Sequence, residues 1–146
     1  MALGAVLACG AVLAVPAPAA AAAGNQQRML HAVNAVRAQH GLAPFHGSAS
    51  LHRSASAYAH WMLRSAYFGH LDRIRASGRF ARLGEALAWH SGGRARVQRT
   101  VRGWMHSPPH RALILHPGFR WLGAGMARGR LSGRRATTWV LHFGGR

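Results

Sequence analysis

The chain has 146 residues, nineteen of them arginine and none lysine, with only two acids, Asp72 and Glu85, and a formal net charge of +17. Its single cysteine, Cys9, excludes a disulfide-stapled scaffold, and two acids exclude a surface laced with ion pairs. Stability must come from a packed core, which about 120 residues can bury as one domain.

Residues 1–23 carry no charged side chain and no amide, and the stretch 2–15 is apolar apart from Gly4 and Gly10. Pro16, Pro18 and a run of alanines follow. This is the pattern of an h-region leading into small-residue cleavage sites, although no Lys or Arg precedes it. It is too short for a spanning helix of about 20 apolar residues. We therefore expect a signal peptide over 1–23, a secreted or periplasmic, cell-envelope product, and no transmembrane span in the mature chain. Val6-Leu7-Ala8-Cys9 resembles a lipoprotein box, but the apolar run continues to Val15, which argues against lipidation.

A polar junction covers 24–28, and the domain proper is expected over 29–146. In 28–40, Met29, Val33 and Val36 fall at helical spacing, and Gly41 suits the position just past a helix end. Ser48 or Ser50 can cap a second helix with Leu51, Ala55, Ala59 and Met62 on one face and Tyr58 beside it. A short helical turn is expected over 71–76 and a strand over 80–89. Val97, Val101, Trp104 and Met105 mark a third helix in 94–105, with Arg96, Arg99 and Arg102 on its opposite, solvated side. Ser107-Pro108-Pro109 reads as the start of a short helix through Leu115. The runs 121–127 and 136–143 read as strands joined through a hairpin at 129–135. Helices precede strands, which points to a layered α+β domain.

The chemistry-bearing candidates are few. Glu85 is the only glutamate, set among apolar residues, and a buried carboxylate needs a partner: an arginine is one candidate, and a histidine with backbone N–H groups at the helix start near Ser107 is another. His70 and His110 each close a motif-like string at an element boundary. The tryptophans other than Trp61 read as core or cleft wall. His31, His40, His46, His52, His60, His90 and His106 read as surface or loop residues. No H-E-x-x-H pattern and no nucleophile elbow is present.

Several strings are specific in combination: Asn34-Ala35-Val36-Arg37, Tyr67-Phe68-Gly69-His70, Gly84-Glu85, Trp104-Met105-His106-Ser107-Pro108-Pro109-His110-Arg111, Gly123-Ala124-Gly125 and Trp139 through Gly144. In this order they resemble the bacterial branch of the CAP superfamily, which includes cysteine-rich secretory proteins, antigen 5 and pathogenesis-related-1 proteins. The resemblance implies a three-layer α-β-α sandwich with a central, mainly antiparallel sheet. It also implies a cleft of two histidines and two acids that often binds a divalent ion. Carried over by position, His70, Glu85 and His110 match three of the four residues, and Ser107 stands where the second acid belongs. One zinc-like ion on His70, Glu85 and His110 is the cofactor this implies.

The missing acids remain unexplained by codon bias, which accounts for arginine in place of lysine. Such a surface suits an anionic envelope polymer or lipid, or nucleic acid without sequence preference. The leading reading is an extracytoplasmic binding module. A metal-dependent hydrolase with Glu85 as base is the rival, and charge-driven nucleic-acid binding is a third reading.

Overall fold

Helix α1 (Pro18–Gln39) begins ten residues ahead of the expected start at Arg28. Alanine has the best intrinsic helix propensity, so the alanine run extends the helix back through the expected junction. The computed structural model describes residues 18–146 other than 79, with side chains of the first helix described from Gly24 onward. The lipoprotein box at Cys9 and most of the expected signal peptide lie outside the described residues.

The C-terminus of α1 closes as expected. Gly41 adopts φ 66°. Leu42 N–H donates to the Arg37 carbonyl and Gly41 N–H to that of Ala38, both at 3.0 Å. These are the two bonds of a Schellman motif. The inner face of α1 departs from its apolar reading. Met29, Ala32 and Val33 are buried, but the next buried side chain is Arg37, 2% exposed, rather than Val36. Its guanidinium lies 3.9 Å from the Phe45 ring centroid. Arg37 Nε donates to the Ala43 carbonyl at 2.8 Å, and Nη1 donates to the carbonyls of Ile114 at 2.7 Å and His116 at 3.2 Å. Asn34 exchanges hydrogen bonds with the Phe45 backbone at 3.0 and 2.8 Å. Two polar side chains thus fasten α1 to the connector that follows it.

That connector contains a two-residue strand the sequence did not suggest, β1 (His46–Gly47). Ser48 caps α2 (Ala49–Arg64), its hydroxyl accepting from Leu51 N–H at 3.3 Å, and α2 buries Leu51, Ala55, Tyr58, Ala59 and Met62 as its spacing predicts. No helical turn forms over 71–76, which is loop. Strand β2 (Arg82–Ser91) starts two residues later than expected, and α3 (Val97–Met105) three later. Helix α4 (Pro108–Leu115) and strands β3 (Phe119–Leu131) and β4 (Arg134–Gly145) complete the chain. The hairpin turns on Ser132 and Gly133, both at positive φ, 48° and 77°.

The sheet order is β1-β3-β4-β2, with β1 parallel to β3 and the other neighbours antiparallel. Helix α2 lies over β3 and β4 with Leu87, Ala127 and Val140 beneath it. On the other face α1, α3 and α4 bury Met29, Val101, Trp104, Ile114, Trp139 and Phe143. The molecule is an α+β, three-layer sandwich with a mostly antiparallel sheet, as the sequence implied. Trp104 and Trp139 are core, their indole N–H groups donating to the carbonyls of Leu87 and Ala95 at 2.9 and 2.7 Å. Trp89 is not core: it is 47% exposed, because it sits on edge strand β2, beyond the strands that α2 covers.

Gly123 and Gly125 set the distance between α2 and the sheet. A Cβ at Gly123 would run into Leu51 and the His52 backbone, and one at Gly125 into the backbone of Ala55 and Ser56. Gly125→Ala should therefore cost about 3 kcal/mol or more. Gly103 meets nothing within 4 Å on the exposed side of α3, so Gly103→Ala should instead stabilise by about 0.5–1 kcal/mol. Urea unfolding of the two variants checks both signs.

Candidate functional site

Side chains alternate along β4. Trp139, Leu141 and Phe143 join the core under α1, α3 and α4, whereas Thr138 and Val140 face α2. The same period puts His142 on the α2 side, fully buried. In register, His142 lies directly opposite Glu85 of β2. Such cross-strand neighbours stand close enough to interact.

Glu85 is the centre of the site. Its side chain is 6% exposed, and both carboxylate oxygens are occupied. Oε2 accepts from His142 Nε2 at 3.0 Å, while Oε1 accepts from His70 Nδ1 at 2.8 Å and from Leu71 N–H at 3.0 Å. An arginine partner, one candidate from the sequence, is not what Glu85 uses. Burial pushes its pKa up, but the hydrogen bonds from His142, Leu71 and His70 outweigh that and hold the carboxyl below its usual range.

His70 is held from two directions. Glu85 fixes its ring, and Tyr58 of α2 donates its hydroxyl to the carbonyl of the preceding Gly69 at 2.6 Å. Burial, then the nearby Glu85, raises the Tyr58 pKa to about 12, so it stays a donor. Because the carboxylate accepts at Nδ1, that nitrogen carries the proton and Nε2 is the open end of the imidazole. The His70 side chain is 61% exposed. It opens on a cavity of about 590 Å³ that also takes in Asp72, Ile74, Phe80, Leu83 and Glu85.

His110 does not line that cavity and does not touch Glu85. It sits in the first turn of α4 with Nδ1 2.9 Å from Ser107 Oγ. Ser107 occupies the helix N-cap position, yet its side chain makes no capping bond. Its hydroxyl serves His110 instead. Burial lowers the His110 pKa, and the neighbouring His70 lowers it further. The structure therefore joins His70 to Glu85, places His110 within electrostatic reach of His70, and gives Ser107 to His110.

His142 is the residue the sequence reading passed over. Its signal was a histidine two positions on from Val140 in a run otherwise suited to a buried strand. A polar ring there needs a partner, and the chain holds only two acidic side chains. His142 Nδ1 remains buried without a hydrogen-bond partner. His52 and His90, read as surface residues, are half-buried, with His52 Nδ1 2.6 Å from the Ala124 carbonyl.

Among the described residues no group of three or more His, Cys, Asp or Glu side chains could hold a metal ion. Both oxygens of Glu85 accept hydrogen bonds, whereas His70 uses only Nδ1 and keeps Nε2 open. Glu85 stands behind His70 as an orienting carboxylate rather than beside it as a second donor.

The fold is a three-layer sandwich with a histidine–carboxylate pair at the edge of its sheet. The family described as the cysteine-rich secretory protein family, CAP, matches residues 30–143, and the chain belongs to it. No curated protein matches the sequence significantly. Among solved structures it is similar to an extracellular SCP-domain protein from Bacillus anthracis, with TM-score 0.71 and 19% identity over 91% of this chain and 45% of that one. It is also similar to an outer surface protein from Borrelia burgdorferi, with TM-score 0.67 and 19% identity over 84% and 93% of the two chains. A third, NaASP2, whose structure is described with Zn2+, has TM-score 0.63 and 13% identity over 81% and 77%. The chain thus spans less than half of the Bacillus anthracis protein. At these identities the likeness establishes the fold alone. Among the described residues no helix is long and apolar enough to cross a membrane.

The pKa shifts set a pH dependence. Both Glu85 and His110 have folded-state values below their ordinary ones of 4.5 and 6.5. Each stabilises fully above its ordinary value, and that contribution is lost as pH falls through the folded value. Urea midpoints should therefore begin to fall below about pH 6.5 and drop again below about pH 4.5. Glu85→Gln should remove the lower limb and cost about 2 kcal/mol at pH 7, since an amide cannot accept from both histidines. A lower limb unchanged in Glu85→Gln would place its source elsewhere.

Proposed function

We propose that the mature chain acts outside the cytoplasm as a binding module for an anionic ligand of the cell envelope, a polymer or a lipid. One observation carries this reading: among the described residues seventeen exposed arginines face a single exposed acid. Glu85 is buried and committed to histidines, which leaves Asp72 alone at the surface. Among the described residues neither ion-pair contact uses an arginine. A surface so unopposed repels itself unless an anion compensates it. The charge-free segment 1–23, expected to be a signal peptide, and the secretory family support the location.

The hydrolase reading requires Glu85 to act as a base or a ligand. A general base needs a free lone pair within reach of the proton it takes, and three of the roughly four lone-pair sites of the buried Glu85 carboxylate already accept hydrogen bonds. The third reading, nucleic acid held by charge alone, predicts affinity that collapses with salt and ignores sequence.

Sedimentation with phosphatidylglycerol vesicles or an anionic polymer tests the proposal. We expect binding that persists at about 150 mM salt, where distant charges are screened, and none to neutral phosphatidylcholine vesicles. Zinc-dependent cleavage of peptide or glycan substrates that disappears in a folded Glu85→Gln variant would replace binding with hydrolysis.

A further inference from the structure

The face of the sheet opposite Glu85 carries a second and larger cavity, of about 1080 Å³. Gln27, Arg28 and His31 of α1 form one wall, and Arg94, Arg96 and Arg99, at the entry to α3, form the other. Val97 is its one sizeable apolar side chain, and no acid and no Phe, Tyr or Trp lines it. Arg96 and Arg99 are exposed, as their solvated helix face predicts, and they border a groove whose other wall is α1.

The backbone at this entry is unusual. Arg96 adopts φ 46° and ψ 40°, the left-handed region, immediately before α3. That conformation costs a residue other than glycine about 1–2 kcal/mol. No side chain caps α3, so its first N–H donors stand uncapped beside three arginines.

We propose that this groove binds a linear phosphate-bearing polymer, with successive phosphates on Arg28, Arg94, Arg96 and Arg99. The proposal rests on the anionic-ligand reading above and gives that ligand a place and a chemistry. Guanidinium forks match phosphate oxygens in pairs. Four of them around a space of this volume exceed what one phosphate needs. Single-stranded nucleic acid would need aromatic platforms for its bases, and the groove has none. A bilayer would need apolar and aromatic contact. The exposed Trp61, Tyr67 and Phe68 that could make such contact belong to α2 and the loop after it, on the other side of the sheet.

The test is titration of the protein with long-chain inorganic polyphosphate at about 150 mM salt. Arg96→Gly with Arg99→Gln removes two groove charges, and glycine accepts the φ of Arg96 without strain. Arg53→Gln with Arg64→Gln removes two charges from α2. The groove pair should weaken binding about tenfold or more and the α2 pair less than about threefold. Gln98→Glu provides a second probe, because an acid in the first turn of α3 favours the helix while repelling phosphate, and it should weaken binding comparably. Equal losses in the two double variants, with strong wild-type binding, would overturn the groove and leave the anionic-ligand reading standing. No wild-type binding to polyphosphate or to anionic vesicles would remove both. Tighter binding of single-stranded DNA or phosphatidylglycerol vesicles than of polyphosphate, lost in the groove variants, would overturn the assigned occupant.

Discussion

A carboxylate taken out of water must find donors, and Glu85 finds three. They come from places far apart in the chain: His142 on β4, and His70 with the Leu71 backbone in the loop after α2. An unpaired buried charge is costly enough that this contact constrains everything around it. It requires β2 and β4 in the register that sets Glu85 opposite His142. It also requires the 67–71 loop to fold back over the edge of the sheet, where Tyr58 secures it through Gly69. The cleft is the space left beside that contact.

The contact in turn depends on how near α2 comes to the sheet. Gly123 pairs with His142 in register, and its missing side chain admits the α2 backbone directly above. On the opposite face a buried cation has a comparable role. Arg37 finds no carboxylate, so carbonyls near the C-terminal end of α4 and in the connector accept its N–H groups, and the Phe45 ring covers it. The negative end of a helix suits a cation. One face is thus organised around a carboxylate served by histidines, the other around a guanidinium served by carbonyls. Neither uses a conventional salt bridge between an acid and an arginine.

The two faces then divide the chemistry. The Glu85 side presents one oriented, exposed imidazole and an otherwise committed polar network. The α1–α3 side presents guanidiniums with no carboxylate nearby. A chain this poor in acids can bury one of them in a structural role only by leaving nearly all its arginines to solvent or to ligands.

Composition and periodicity alone determined much. The apolar stripe of α2, the Ser48 cap, the Gly41 stop, the Pro108 start and the Ser132-Gly133 hairpin are local signals, and each formed where the sequence placed it. So did the layered α+β class, because amphipathic helices and alternating strands have few ways to hide their apolar faces. His70, Glu85, His110 and Ser107 were also legible as candidates, through their motif strings. That Glu85 accepts from a histidine and from backbone N–H was legible too, but not that His142 and Leu71 are among the donors. Which histidine bonds to Glu85 depends on strand register and on a loop crossing the sheet edge, so His142 was invisible as a site residue. The burial of Arg37, the exposure of Trp89 and the arginine groove at α3 follow from which elements meet. Residue spacing reports the face of one element, whereas contact between elements is decided only once their packing is complete.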